Sequence, residues 1–463
     1  YGLMLLGADK AGEAEQVFLD AIKAAPQDDR AWNGLFTFYI RTDNKSKARE
    51  TLVEMMKQAQ MSNGRRAFVL AQGYEALGED ENAETAYREA LKESPDDERV
   101  RLRLTQFYVS RLGKNNANAN YQNKAIALLQ DSLRRNPNDG RAKRTLATLM
   151  AGAGGEQWKS AIEMLRSASD DAATPVMDRR LHGVLLFQRD GAENLAEART
   201  IFESLIASAE AEPNDRLILA RILERQGDLP GARAQYEQVG RQTPPDVRGL
   251  TFYVDFLIRH ADLPEAQRWL QTLTEARQGE FDAGTLELQA RLLVAQGNTD
   301  AVSQQVDPPA LQKLSTLAAD PTAQKVLTAQ MGDIYMRLGL HAVAEPWYRR
   351  LAELDVNQFA ALARCLARQN RIPDALDICQ QAAAQSDSPA VVQAVADVLT
   401  SGSPSAADYE RVEPILVAAE QKYGGDPNTL VKIANVRIIQ GRLDDVIRLL
   451  EKWSASIRKT CSR

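Results

Sequence analysis

The chain has 463 residues, carries 57 Lys plus Arg against 63 Asp plus Glu for a formal net charge of −6, and is 44% hydrophobic, 26% charged and only 6% aromatic. A negative balance excludes the basic footprint of a general nucleic-acid binder, and no apolar run approaches the roughly 18 to 20 residues that a membrane span needs. Its 3 cysteines are too few for a disulfide scaffold.

The opening YGLMLLGADK lacks the basic flank and cleavage site of a signal peptide. The chain reads as starting inside a repeat, so a cytoplasmic and an exported location both stay open. The first predicted element is a helix carrying Ala14, Phe18 and Ala21, closed by Pro26. A helix pair follows, with Trp32, Leu35 and Tyr39 on the first helix and Ala48 and Leu52 on the second. The stretch LAQGYEALGEDENAETAYREALKESPDD then shows the spacing most clearly. With Tyr74 as position 11 of a unit, Gly78 is 15, Ala83 is 20, Tyr87 is 24, Ala90 is 27 and Pro95 is 32.

The unit recurs along the chain. Leu219, Ala220, Leu223, Gly227, Ala232, Tyr236, Val239 and Pro244 rewrite it, as do Leu250, Tyr253, Leu257, Ala266, Leu270 and Leu273. Met331, Gly332, Tyr335, Gly339, Ala344, Tyr348 and Leu351 do so again. Apolar residues at positions 4, 7, 8 and 11 form one helical stripe, and those at 20, 24 and 27 form a second. Each unit of about 34 residues is therefore predicted to be a helical hairpin. Small residues at 8 and 20, such as Ala71 with Ala83 or Gly332 with Ala344, are expected where two helix axes approach closely. Pro95, Pro137, Pro213 and Pro244 are expected to stop the second helix.

Two places depart from this pattern. GKNNANAN inserts roughly eight residues between the helices of the unit from 98. After Gly297 the segment NTDAVSQQVDPPALQKLSTLAADPT shows no clean position 24 or 27 and carries a Pro-Pro pair. The expected organisation is therefore a first block over 1–302 with about nine repeats, an irregular junction over 303–322, and a second block over 323–463 with about four repeats.

On these residues the chain resembles the tetratricopeptide repeat family across nearly its whole length. Its Ala-, Arg- and Gln-rich composition is similar to that of long repeat proteins of high-GC bacteria, Planctomycetes especially. The resemblance implies an all-α, right-handed superhelical solenoid of about 12–13 hairpins. It also implies a non-enzymatic scaffold that binds protein or peptide partners along the concave side lined by the first helices. The family's two-carboxylate clamp for C-terminal tails needs a Lys and Asn set that adjacent units here do not supply: Asn33 sits at position 5 but Thr37 follows at 9, and Asn435 stands at 9 behind Val431.

Groove positions of the first helices carry an excess of arginine: Arg30, Arg41, Arg65, Arg99, Arg141, Arg144, Arg221, Arg225, Arg248, Arg259, Arg337, Arg364 and Arg368. Fewer acids share that side, among them Glu75, Glu224, Asp255 and Asp333. One reading is a positive groove that takes acidic segments through guanidinium forks; the other is that each arginine pairs with a neighbouring carboxylate. Cys365 and Cys379 fall at positions 7 and 24 of one hairpin, either as two small buried side chains or as a disulfide. No HExxH, GxSxG, P-loop or CxxC motif occurs, His182, His260 and His341 lie in different units, and no cofactor or metal is expected. Three other readings remain: a recruiting region of a larger enzyme, a periplasmic assembly factor for exported polymer or outer-membrane protein, and a self-assembling structural element.

Overall fold

The computed structural model describes residues 11–112, 118–169, 175–189, 191–385, 388–423 and 426–461. The described residues form 25 α-helices and no strand. Up to residue 226 these are α1 (Ala11–Ala24), α2 (Asp29–Arg41), α3 (Lys45–Gln58), α4 (Asn63–Leu77), α5 (Asp80–Glu93), α6 (Glu98–Ser110), α7 (Asn118–Arg135), α8 (Gly140–Ala153), α9 (Gly155–Ser169), α10 (Val176–Gln188), α11 (Ala192–Ala207) and α12 (Pro213–Arg225). Beyond it lie α13 (Leu229–Gly240), α14 (Val247–Arg259), α15 (Leu263–Ala276), α16 (Ala283–Ala295), α17 (Ala301–Thr316), α18 (Pro321–Arg337), α19 (His341–Leu354), α20 (Phe359–Arg368), α21 (Ile372–Gln385), α22 (Pro389–Ser401), α23 (Ala406–Tyr423), α24 (Pro427–Ile439) and α25 (Leu443–Cys461). Most of the GKNNANAN insertion lies outside the described residues.

The chain divides into two compact units, Tyr1–Gln226 and Gly227–Arg463. In the first, α2–α3, α4–α5, α6–α7, α8–α9 and α10–α11 pack as hairpins, and each second helix also touches the next first helix. In the second, α14–α15, α16–α17, α18–α19, α20–α21, α22–α23 and α24–α25 do the same. First helices also meet directly, as α8 with α10 and α10 with α12 in one unit, and α14 with α16 and α22 with α24 in the other. A hairpin alone leaves an apolar flank in water, so stacking is what completes its core.

The repeat positions behave as their spacing requires. Ala71, Ala83, Ala232, Ala266 and Ala344 are fully buried, and so is Tyr87 at position 24. At Gly332 the approach is close enough that a Cβ would stand 2.7 Å from the Tyr348 ring. Gly78 ends α4 at φ 82°, a left-handed turn in which a side chain would be strained. In the second unit one continuous core runs from Leu286 to Leu449.

Three expectations are corrected. Ala21 is exposed and Ile22 takes the inward place on α1, because the helical stripe advances by four residues from Phe18 rather than three. Pro213 does not stop a second helix: α11 ends at Ala207 and Pro213 opens α12 at its first turn, where a missing N–H costs nothing. The Pro-Pro segment is a continuous helix, and its core side is the four-spaced stripe Val302, Val306, Ala310 and Leu314. Pro308 and Pro309 lie off that stripe. The carbonyls they leave without a helical donor belong to Gln304 and Gln305, both exposed residues.

A polar contact recurs on top of the apolar one. The side chain at position 11 reaches back to a carboxylate on the preceding second helix. Tyr39 donates to Glu15 at 2.6 Å, Tyr108 to Glu84 at 3.1 Å and Tyr335 to Asp307 at 2.5 Å. Gln369 donates to Glu345 at 3.0 Å, and Arg437 to Glu413 at 2.8 Å. These latches tie successive hairpins together at the same place with three different side-chain chemistries.

Candidate functional site: the first-helix arginines

The arginines fall into groups with distinct local causes. Arg30, Arg99, Arg141 and Arg248 each stand two residues after the aspartate that caps a first helix, in an Asp-x-Arg pattern. Their backbone N–H groups donate to Asp28, Asp97, Asp139 and Asp246 at 3.0, 2.9, 3.0 and 3.1 Å. The Arg30 and Arg99 side chains then fold back onto the same caps, at 2.6 and 2.9 Å. Their hydrogen bonds hold both caps below the usual carboxylate range, Asp28 at about 2.

A second group bridges neighbouring first helices. Arg65 of α4 grips Asp29 at the start of α2 with Nε at 2.8 Å, and Arg144 of α8 meets Asp178 of α10 at 2.7 Å. Arg337 of α18 meets Glu287 of α16 at 2.8 Å, and Arg364 of α20 stands 3.9 Å from Asp397 of α22. The same ladder holds basic residues that sequence reasoning did not single out: Arg180 on Asp215 at 2.7 Å, Arg103 on Glu75 at 3.1 Å, Lys432 on Asp397 at 2.5 Å and Arg291 on Asp255. A basic residue 28 to 36 positions from an acid in a neighbouring unit is the signal that would have found them.

Arg225 and Arg259 sit in the last turn of a first helix, where a cation complements the negative helix end. Arg259 pairs with Asp255 one turn back at 2.8 Å, while Arg225 and, one turn before it, Arg221 lie over the Phe187 ring at 5.2 and 5.0 Å. Arg225 also donates to the Phe187 carbonyl at 2.7 Å. Arg41, Arg141, Arg248 and Arg368 are exposed and have no carboxylate partner among the described residues. Asn33 is half-buried, and its carbonyl accepts from Thr37 at 2.7 Å. The expected acids are also occupied: Glu75 takes the Tyr87 hydroxyl at 2.6 Å, and Asp333 takes that of Tyr348 at 2.5 Å.

Two buried arginines escaped the sequence reading because they stand where the repeat wants apolar side chains. Arg101 at position 4 meets Asp131 at 2.7 Å, and Arg437 at position 11 holds Glu413. Cys365 and Cys379 are both free and buried; Cys365 donates to the His341 carbonyl at 3.2 Å. Burial pushes their thiols up, to about 11 and about 12, which leaves both as unreactive small side chains. Among the described residues no three His, Cys, Asp or Glu cluster as metal ligands, and no helix is long and apolar enough to cross a membrane.

Models of the tetratricopeptide repeat match residues 65–107 and 189–247. These two stretches are tetratricopeptide repeats. The first match covers most of α4, all of α5 and most of α6, where the repeat spacing is clearest. No curated protein matches the chain. Among solved structures it is similar to yeast Tom70, at 13% identity over 91% of this chain and 97% of that one with a TM-score of 0.41. It is also similar to a tetratricopeptide repeat protein from Parabacteroides merdae, at 13% identity over 58% and 98% with a TM-score of 0.39. A third similar structure is Naa15/Naa10 bound to HypK-THB, at 12% identity over 100% and 79% with a TM-score of 0.36. Tetratricopeptide repeats support a general role as a protein-interaction scaffold.

Proposed function

We propose that the chain is a non-catalytic scaffold that holds protein or peptide partners along the face formed by its first helices. The observation that carries this reading is the side-by-side packing of first helices within each unit. Side chains exposed on one then adjoin those on the next, so a single extended segment touches several hairpins. The ion-pair ladder consumes much of the positive charge on that face. Attraction for acidic segments therefore rests on Arg41 and Arg141 in one unit and on Arg248 and Arg368 in the other, as exposed forks without carboxylates.

The test is photo-crosslinking from single positions of the whole chain. A crosslinking side chain at Arg141 or Arg368 should capture a discrete protein from the native source, whereas one at Gln271 on the second helix α15 should not. Equal capture from Gln271, or none from either first-helix position, overturns the assignment of the binding face.

A further inference from the structure

A second recognition surface lies away from the first-helix face. Between the second helices α5 and α7 there is a cavity of about 600 Å³ whose floor is the first helix α6. Leu91, Leu104, Tyr108 and Leu128 make it apolar. α5 contributes one wall through Glu84, Arg88 and Leu91, which recur at helical spacing, with Lys92 beside them and Pro95 just beyond the helix end.

The charges of the wall are not balanced. Glu84 is already committed, to Lys124 at 2.6 Å and to the Tyr108 hydroxyl at 3.1 Å. Arg88 stands four residues after Glu84, where the two could pair along the helix, yet Glu84 turns across the cavity instead. Arg88 and Lys92 are consequently exposed cations with no carboxylate partner among the described residues. Two like charges one helical turn apart repel each other and are held there by nothing in the hairpin. A ligand that brought carboxylates would relieve that repulsion while covering the apolar floor.

We propose that this groove docks an acidic, aliphatic peptide segment, with carboxylates on Arg88 and Lys92 and aliphatic side chains over Leu91, Leu104 and Leu128. Charge complementarity fixes the sign of the ligand, and the floor demands its apolar part. The groove is independent of the first-helix face, because its cations belong to a second helix.

The probe is a fluorescein-labelled decapeptide of alternating glutamate and leucine, read by anisotropy against the full chain at low salt. Glutamate–serine and glutamine–leucine decapeptides serve as controls for the apolar and charged parts. Saturable binding is expected, at least tenfold weaker for either control and for the double variant Arg88→Glu, Lys92→Glu. Because both side chains are exposed, that variant should melt like the parent, which shows that lost binding is not lost folding. The pair Arg337→Glu, Arg364→Glu, cations of the first-helix face whose charge the ion-pair ladder already consumes, should bind the probe as the parent does. Absence of saturable binding, equal binding of the controls, or indifference to the α5 substitutions overturns the groove. A probe weakened only by the first-helix substitutions would overturn it while leaving the scaffold reading intact.

Discussion

The latch of α6 and the latch of α24 occupy the same repeat position and are built from opposite chemistry. Tyr108 buries a neutral phenol and donates one hydrogen bond to Glu84. Arg437 is 2% exposed and brings a full charge, matched by both oxygens of Glu413 and by Gln440 at 2.9 Å. A phenol that loses its partner forfeits one neutral hydrogen bond, whereas a buried guanidinium that loses its partner is left as an uncompensated charge. Position 11 thus demands a long donor that reaches the previous hairpin. The price of a fault there depends on whether that donor is charged.

Breaking the small-residue contact inside a hairpin should have the largest effect. Ala83 is fully buried where α4 meets α5. Ala83→Arg adds bulk and an unpaired charge at once, which should cost roughly 3–5 kcal/mol. A melt within a degree of the parent would mean that the hairpins tolerate separation there.

Next in size is the charged latch. Arg437→Ala should cost roughly 2–4 kcal/mol, below the range for a fully buried pair because Glu413 is partly exposed and keeps Arg442 at 3.0 Å. Arg437→Met, which retains the stem without the charge, should recover much of that loss. If the Met variant melts as low as the Ala variant, the ion pair and not the packing holds α24 to α23.

Position 11 also shows how far the sequence is legible. The hairpins, the small residues at positions 8 and 20 and the buried Tyr87, Tyr236 and Tyr348 follow from spacing alone, because helix geometry leaves such a stripe one place to go. The arginines do not follow, because a long side chain on an exposed helix reaches either outward or to the next hairpin. Arg144 turned toward Asp178 because Asp178 is buried and needs it. The Asp-x-Arg pattern before Arg30, Arg99, Arg141 and Arg248 was readable as a helix start, which gives those arginines a local cause independent of any ligand. Val302 and Val306 were likewise readable at positions 20 and 24; the adjoining proline pair masked a stripe that the helix keeps.

Smaller is the neutral latch. Tyr108→Phe keeps the ring and its packing against Tyr121, and loses only the hydroxyl bond to Glu84, which retains Lys124. A loss of about 1 kcal/mol is expected by chemical denaturation. A loss equal to that of Arg437→Ala would erase the distinction between the two latches.

The smallest effect, and the most discriminating, concerns the carboxylate side. Three latch acids have cations beside them and are held below their usual range. Glu15 is lowered by the Tyr39 hydroxyl and by Lys47. In Glu345 and Glu413 burial acts upward, but Arg349, Gln369 and Arg371 outweigh it at the first, and Arg437 and Arg442 at the second. Asp307 has only neutral donors, Tyr335 and the Trp347 indole at 3.1 Å, so burial wins and its carboxyl is raised above 3.8. A raised acid binds its proton more tightly folded than unfolded. Its contribution is therefore present in full below 3.8 and is lost as pH climbs through the raised value. Asp307→Asn keeps an oxygen that accepts both donors but cannot ionise, so near pH 4 the two proteins should agree within roughly 0.5 kcal/mol. Melting curves from pH 4 to 8 should then show the parent falling behind the variant. For the three cation-paired acids the sign is opposite: their stabilisation disappears as pH falls. A parent that gains on the Asn variant with rising pH would place an unrecognised cation against Asp307 and make its latch a charged one like that of Arg437.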